Sequence, residues 1–595
     1  MTDPTDPARA IALFKHGDID AARAAAHNAI IAGGESAQMR HLLGLACCRA
    51  GDLAEGINHL ERAAELAPRD PNILVMLMRA LIDADRPREA LSRPFDAAGL
   101  GTPALLALWR TRAEAAHRAQ DAYLEAEALQ RAVLLDPADH EFRERLVPML
   151  MSLDQPAQAL AQIDALPRSP WSRRARSMAL VALRRLDEAA AIEAALLDAD
   201  PRDRDAWRSA LLIADRQNDL ATLSAMVEFG ELSGYLQSEI AFARALIAKQ
   251  QGQWDEALTL ANASDVAGDP ARRFALIASL ADRLGRADEA FGAATAKAAA
   301  TNDCSTWRSR GERHRLELER LVTAMTDEWA TSWAPSPPRA RPAPAFLIGF
   351  PRSGTTLLDT FLMGHRDVVV IEEELMLAAA ARVLGESAAL DGADPAKVEN
   401  ARAAYFAELD RHLPSGEPPR LIIDKLPLAM TGAPIIHRLF PDAKIIFAVR
   451  HPADSVLSNF LQSFKLNDAM ANFLDLGDAA HFYNVAMRVW TRTNEVFRLN
   501  TRDLIYEQLV ENPEAALRPL VEWLGLPWDQ ALLDHRRTAA ARGVIVTPSY
   551  DQVTQPLHRR AVGRWRRYET HLAPVRGVIE PWAIRLGYGA MTPSS

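Results

Sequence analysis

The sequence predicts an α-solenoid of stacked helix pairs followed by an α/β domain built on a doubly wound, mostly parallel sheet. Three observations carry that expectation. A pattern of turn and small residues recurs at 34-residue spacing in the N-terminal part of the 595-residue chain. At Ala345–Leu362, AFLIGFPRSGTTLLDTFL, a short apolar run meets a glycine-bearing loop and then apolar residues at helical spacing, which reads as strand, loop and helix. Beyond it, four more apolar runs, most of them separated by helical patterns, bring charged residues to their ends, as strands of a sheet covered on both faces do.

Gly17-Asp18, Gly51-Asp52 and Asp85-Arg86 set the repeat, and small residues follow at Ala22, Gly56 and Ala90. A two-helix unit cannot bury its apolar face alone, so small residues at the crossings let neighbours stack. Leu43, Gly44, Cys47, Gly56, Leu60, Ala63 and Pro68 fall where the tetratricopeptide repeat (TPR) has its small, apolar and terminating residues; Ala113, Ala116, Leu129, Ala132 and Pro137 do so again. The resemblance implies a TPR-like superhelix. Degenerate copies centred on Ala159, Ala189, Ala257 and Ala290 follow, and about eight or nine units fit before residue 300. A concave face of this kind suits a peptide or a protein partner; equally, such an array can serve only to solubilise or dimerise an enzyme. No residue of the repeats carries a chemical signature, and Arg173, Arg174 and Arg176 read as a solvated helix face.

A helix containing Trp307, Leu316, Leu321 and Trp329 then leads to PSPPRARPAP at residues 335–344, too proline-rich for a helix and suited to a stiff linker. The expected organisation is a solenoid over 1–300, a connecting helix and linker over 301–344 and the α/β domain over 345–590. An apolar fraction of 49% agrees with a folded chain of more than one domain. A net charge of −10, with neither half strongly basic, argues against a nucleic-acid binder or a membrane-surface protein. Cys47, Cys48 and Cys304 make neither a disulfide framework nor a zinc site. With a polar N-terminus and no run of 18 apolar residues, a cytoplasmic location is expected.

In the glycine-bearing loop, Gly349 and Gly354 permit tight turns, Ser353, Thr355 and Thr356 supply hydroxyls, and the amides opening the helix face whatever sits there. Such a P-loop-like site suits a phosphate or sulfate; the simpler reading is a glycine turn between strand and helix. The spacing Gly349-x-x-x-x-Gly354-Thr355-Thr356 is close to the nucleotide triphosphatase loop, but Thr355 stands where that loop has its phosphate-binding lysine. Its absence argues against magnesium-assisted cleavage of a β–γ phosphate bond. Arg352, inside the loop, offers a planar guanidinium fork to a phosphate or sulfonate oxygen instead. A nucleophile elbow fails, because Pro351 occupies a position where G-x-S-x-G needs glycine.

The remaining strands are read at Val368–Ile371, Leu421–Asp424, Ile445–Val449 and Asp503–Tyr506. Arg352 follows the first strand, Glu372 and Glu373 the second, Lys425 the third and Arg450 the fourth, so four strand ends bring charge to one crevice. Glu372, Glu373 and Glu374 either favour the positive end of a helix or supply a base for a hydroxyl acceptor. Lys425 is either a cation of the site or a surface ion pair of Asp424. Arg450 ends its strand, Pro452 opens the next helix and Ser458 lies about two turns further on.

FPRSGTTLL with the glutamates after it, and the Arg450…Ser458 pair, resemble sulfotransferases that use 3′-phosphoadenosine-5′-phosphosulfate. The later SYDQV and GRW stretches are most similar to the tyrosylprotein and bacterial repeat-containing branch, and the likeness covers roughly Phe346–Tyr568. It implies that Arg352, Ser353, Gly354, Thr355 and Thr356 hold the 5′-phosphosulfate, Arg450 and Ser458 the 3′-phosphate, and that Tyr506 lies at the nucleotide. It places the base on Glu373, or on Glu372 after a slip of one residue. Lys425 and Ser549 would steady the transferring group and the leaving oxygen, and Arg564 stands where the family has lysine before tryptophan, which keeps charge but changes geometry. A further departure is Gln462, where the tyrosylprotein enzymes carry arginine. Among Arg559, Arg560, Arg564, Arg566 and Arg567, only Arg564 acquires a role; the rest read as a solvated face.

The expected function is sulfuryl transfer from that donor, without a metal, to an acceptor hydroxyl of a peptide or protein, with tyrosine suggested by the family branch and a carbohydrate or small-molecule hydroxyl left open, and with the TPR groove recruiting the acceptor or a partner. Two rivals belong to other classes. A catalytically inactive interaction scaffold is disfavoured by the intact set of Arg352, Glu373, Lys425 and Arg450, and a P-loop kinase or triphosphatase is disfavoured by Thr355.

Overall fold

The structure, a computed structural model, describes residues 7–33, 35–153, 155–266, 269–385, 387–413, 419–541, 557 and 559–591. Within them, eighteen helices from Pro7–His16 to Ala287–Ala299 follow one another as nine pairs. The turn positions expected from the repeat have left-handed backbone, with φ of +85° at Gly17, +89° at Gly51 and +57° at Asp85. Asp18 and Asp52 then cap the next helix by accepting from the amides of Ala21 and Glu55. Ala22, Gly56 and Ala90 are buried. Gly44 and Gly56 show what their size achieves: a Cβ on Gly44 would lie 2.7 Å from Leu60 Cγ, and one on Gly56 would lie 3.0 Å from Gly44 O. Helices Ala37–Arg49 and Leu53–Leu66 therefore cross nearly backbone to backbone.

The chain divides into two compact units, Met1–Thr222 and Leu223–Ser595, and the division falls in the first turn of the helix Leu220–Leu232. The second unit holds the last two helix pairs and the sheet. After them the single helix expected around Trp307–Trp329 is two, Cys304–Ala324 and Asp327–Thr331. Thr326 causes the break, since its side chain accepts from the Trp329 amide at 3.0 Å and caps the second helix.

The proline-rich run that follows is extended and fastened to the sheet region. Ser336 Oγ donates to Arg438 O at 2.8 Å, Arg402 Nη1 to Pro337 O at 3.1 Å and Arg438 Nη1 to Ala334 O at 2.5 Å. Arg402 and Arg438 are buried, and they satisfy carbonyls that a ladder-less strap leaves over.

Five parallel strands, β1 (Ala345–Gly349), β2 (Val368–Glu372), β3 (Leu421–Lys425), β4 (Lys444–Val449) and β5 (Asn500–Ile505), stand in the order β2-β3-β1-β4-β5. Phe346, Leu347 and Ile348 of central β1 are wholly inaccessible, as a continuous apolar run in a covered sheet must be. From β1 the chain builds one side of the sheet and then crosses to the other, so the loops after β1 and β4 flank the crevice left at the strand C-termini. The fifth strand sits earlier than its apolar pattern predicts. Arg498, in left-handed conformation, ends the helix Leu476–Phe497; β5 begins at Asn500 and Tyr506 already opens the helix Tyr506–Glu511. Pairing of Lys444–Val449 with Asn500–Ile505 sets these bounds, including polar residues that a propensity reading leaves out. Among the described residues no helix is long and apolar enough to cross a membrane.

Candidate active site

The loop between β1 and the helix Thr355–Leu362 holds Arg352 at φ +67° and Gly354 at φ +96°. Gly354 has no room for a side chain, because a Cβ there would run into the Tyr506 ring. Residues around β4 grip the loop from outside: Asn459 Nδ2 donates to Pro351 O at 2.8 Å, and Arg450 Nη1 to Arg352 O at 2.9 Å. Arg352 Nε in turn donates to Ser458 Oγ at 3.1 Å, so Ser458 meets the loop arginine directly. Thr355 and Thr356, at the start of the helix, are buried. Ser353 is buried too, and its Oγ has no hydrogen-bond partner among the described residues.

Positive charge collects beside this loop. Burial, reinforced by the charges of Arg450 and Arg564, pushes the Arg352 guanidinium down to about 9. Arg450 lies over Tyr506, 4.8 Å from the ring centroid, and donates through Nη2 to Ala561 O. Arg450 Nε and Arg564 Nε and Nη2 are buried without a partner among the described residues. Unsatisfied buried donors are costly. Clustered guanidiniums, with spare N–H groups on Arg450 and Arg564, fit a polyanion.

A second cluster forms where β2 and β3 end. Lys425 is wholly buried; its Nζ lies 2.7 Å from Glu373 Oε1, 3.1 Å from Glu372 Oε1 and 3.3 Å from Asp359 Oδ2. Burial works against its charge, but the carboxylates of Asp359, Glu373 and Glu372 outweigh it and hold the ammonium's pKa above its usual value. The strand register sets Glu372 opposite Lys425. Glu373 is one residue further, in left-handed backbone at φ +56°, with its amide donating to Lys425 O at 2.7 Å. Such backbone on a glutamate is strained and is held there by its surroundings. The Glu373 side chain is 34% exposed against 13% for Glu372, so Glu373 is the carboxylate open to an incoming group. Glu374 turns away to His412, 3.6 Å distant. Asp424 faces the opposite way and accepts from the Tyr405 hydroxyl at 2.7 Å; Lys425 is therefore not its surface ion pair.

The GRW turn reaches the same site. Gly563, at φ +67°, and Trp565 give their amides to Asp454 Oδ2 and Oδ1, both at 2.8 Å, and Arg564 Nη1 donates to Asp282 Oδ2 at 3.2 Å. Arg559 pairs with exposed Glu511, and Arg566 lies over Trp565, 5.2 Å from a ring centroid. Ser549, the expected second stabiliser, lies outside the described residues, as do Asp551, Gln552 and Val553.

Three carboxylates of the site have no role in the sequence reading. Asp359 is an acid inside an apolar helical run, and that mismatch was the available signal; Asp454, two residues after Pro452, looks like an ordinary first-turn acid. Asp282 gives no signal at all. Beside the end of the helix Pro452–Leu461 lies a cavity of about 320 Å³ whose lining includes Arg272, Lys297, Gln462, Phe464 and Phe473, roomy enough for a side chain with an aromatic body. Elsewhere Cys47, Glu55 and His59 bring ligand-type atoms within 4.8 Å of one another, but Arg23 occupies Glu55 and Arg40 Nη1 lies 3.0 Å from His59 Nδ1.

Residues 344–530 match the model of the sulfotransferase family. An uncharacterized protein of Aquifex aeolicus is 29% identical over 281 residues, which make up 45% of this chain and 36% of that protein. The chain thus spans about a third of that relative's length. Protein-tyrosine sulfotransferase 1 of Danio rerio is 30% identical over 267 residues, 41% of this chain and 71% of that protein. The crystal structure of a tetratricopeptide repeat protein from Parabacteroides merdae aligns with 41% of this chain and 98% of its own at 16% identity, with a TM-score of 0.25. With a glycine loop in place, and with a relative matched over more than two thirds of its length, the chain belongs to the sulfotransferase family.

Proposed function

We propose that this chain transfers the sulfuryl group of 3′-phosphoadenosine-5′-phosphosulfate to the phenolic hydroxyl of a protein tyrosine. The observation that carries the reading is the pairing of two clusters at the strand C-termini: a buried lysine among carboxylates, and a glycine loop beside Arg450 and Arg564, whose guanidiniums keep spare N–H groups. The loop amides, with Arg352, Ser353, Gly354, Thr355 and Thr356, take the 5′-phosphosulfate. Arg450 and Ser458 take the 3′-phosphate, Tyr506 lies beside the nucleotide, and Arg564 adds charge. Glu373 accepts the acceptor's proton as its oxygen bonds to sulfur. The bond from sulfur to the 5′-phosphate oxygen breaks, and its electron pair leaves on 3′-phosphoadenosine-5′-phosphate. Lys425, with Ser549 assigned from the family pattern, offsets the charge on the transferring group and leaving oxygen. A phenol with pKa about 10 needs a base at neutral pH, which gives Glu373 its task.

The tyrosine acceptor is supported by the name of the relative from Danio rerio and by a helical array suited to recruiting a peptide or a partner. The test is calorimetric titration of the full chain with 3′-phosphoadenosine-5′-phosphate, against ADP and against ATP with magnesium. Binding of the 3′-phosphorylated nucleotide, lost in Arg450→Ala, is expected; preference for ATP with magnesium would sink the reading. Glu373→Gln should lower turnover on a tyrosine peptide about 10²–10⁴-fold with nucleotide affinity kept. Labelled sulfate appearing only on a sugar or a small-molecule hydroxyl would move the acceptor class.

A further inference from the structure

We infer that Asp282, in the last helix pair before the sheet, is a positioning residue for the donor. The inference rests on the donor assignment above. Helices Pro270–Arg283 and Ala287–Ala299 lie in the same compact unit as the sheet and both contact the helix Pro452–Leu461. Arg564 enters the site held at two points. Its backbone is fixed by Asp454, which takes the amides on either side of it at 2.8 Å. Its head is fixed by Asp282, whose Oδ2 accepts from Nη1 at 3.2 Å.

Both partners are well shielded, with 14% of the Arg564 side chain and 18% of the Asp282 side chain exposed. That leaves Arg564 Nε and Nη2 buried and unsatisfied among the described residues. A guanidinium has two bidentate edges; with one corner tied to a carboxylate, the remaining N–H groups have a fixed direction and can take a phosphate oxygen pair. Asp282 is itself held. Its Oδ1 accepts from the Tyr568 hydroxyl at 2.7 Å, and its backbone carbonyl accepts from Arg567 Nη1 at 3.2 Å.

Charge balance makes the tether necessary. Arg352 lies close enough to Arg450 and Arg564 for both to depress its basicity. Arg352 and Arg564 repel each other, and a flexible Arg564 would relieve this by swinging into water. Asp282 opposes that motion from a helix 282 positions earlier in the chain. The helix pair is thus part of the donor site, and the donor's affinity depends on a residue of the helical array.

The test uses the full chain and 3′-phosphoadenosine-5′-phosphate as probe, comparing the parent with Asp282→Asn, Asp282→Glu, Arg564→Ala and the double variant Asp282→Asn/Arg564→Ala. Asp282→Asn is expected to weaken binding about tenfold and to raise the donor KM with the acceptor KM unchanged. Asp282→Glu should recover part of the loss, and the double variant should bind no worse than Arg564→Ala alone, because the aspartate acts only through the arginine. Two results would overturn the inference: nucleotide affinity unchanged in Asp282→Asn while its melting temperature falls, or losses that simply add in the double variant. Should Asp282→Asn fail to fold, Asp282→Ser, which also removes the carboxylate, decides by the same criterion, parental affinity counting against. A parent chain that binds no nucleotide overturns the donor assignment and this inference together; a parent that binds while Asp282→Asn binds equally well overturns this inference alone.

Discussion

Lys425 and Asp424 are neighbours in sequence with opposite surroundings, because adjacent residues of a strand face opposite sides of the sheet. Lys425 meets three carboxylates. Asp424 is buried against Tyr405, and burial, offset only in part by that hydroxyl, pushes its carboxyl up to about 7. The stability consequence has a definite sign. Between about pH 4 and pH 7 the native state keeps a proton that the unfolded chain has released, so stability falls as pH rises through that window and levels off above it. Asp424→Asn cannot release that proton and still offers Tyr405 an acceptor. Its urea midpoint should therefore lose a downward slope between pH 5 and pH 7.5 that the parent shows, a difference of up to a few kcal/mol. Equal slopes in the two proteins would show that Asp424 is ionised in the folded state. At this scale the strand-end charges Arg352, Lys425 and Arg450 were legible in the sequence, since a charge ending an apolar run is a local pattern. What each one touches was not: the sequence leaves Asp424 open as a partner of Lys425, and only the sheet's facing rule separates them.

The helix Pro452–Leu461 shows how one element serves the site at both ends and along its length. His451 caps it by accepting from the Ala453 amide at 3.2 Å, and burial pushes that imidazole down to about 4, which keeps the ring neutral and able to accept. Ser458 and Asn459 reach the glycine loop. At the C-terminus Lys297 Nζ donates to Phe460 O at 3.0 Å and Gln462 O at 2.6 Å, where free carbonyls and the helix dipole favour a cation. In the first turn, buried Asp454 fixes the GRW turn through two charge-assisted bonds. Asp454→Ala leaves both amides unsatisfied and should cost roughly 3 kcal/mol. Its checkable signature beyond a lower denaturant midpoint is faster tryptic cleavage within Arg559–Arg567; an unchanged cleavage rate would mean that the turn is held by its other contacts. The start of this helix and the place of Ser458 could be read from Pro452 and the spacing. Lys297 and Asp282 could not, because their partners lie more than 160 positions away and neither forms a pattern with its own neighbours.

Across the whole chain, the same limit explains why the proline-rich run reads so plainly as a linker although packing continues past it. Composition marks a change in local chain behaviour, whereas contacts between distant segments leave no compositional trace. Within Leu223–Ser595 the last helix pair meets the sheet region through Phe291, which stacks on His571 at 4.2 Å and packs against Phe460 at 5.0 Å. The helix Cys304–Ala324 joins it through Arg308 and Arg315, each 3.0 Å from Asp478. A fragment beginning at Asp219, whose side chain caps the next helix by accepting from the Thr222 amide at 3.0 Å, keeps all of these contacts. It should unfold in one cooperative transition and bind 3′-phosphoadenosine-5′-phosphate within about threefold of the full chain, a difference under 1 kcal/mol. A fragment beginning at Ala345 loses Phe291, Asp282 and Lys297 together, exposes Phe460 and Tyr568, and leaves Arg564 without its tether. It should aggregate or bind at least tenfold more weakly. The two titrations, run beside melts of each fragment, separate a donor site confined to the sheet from one completed by the helices: parental affinity in the shorter fragment would confine it to the sheet.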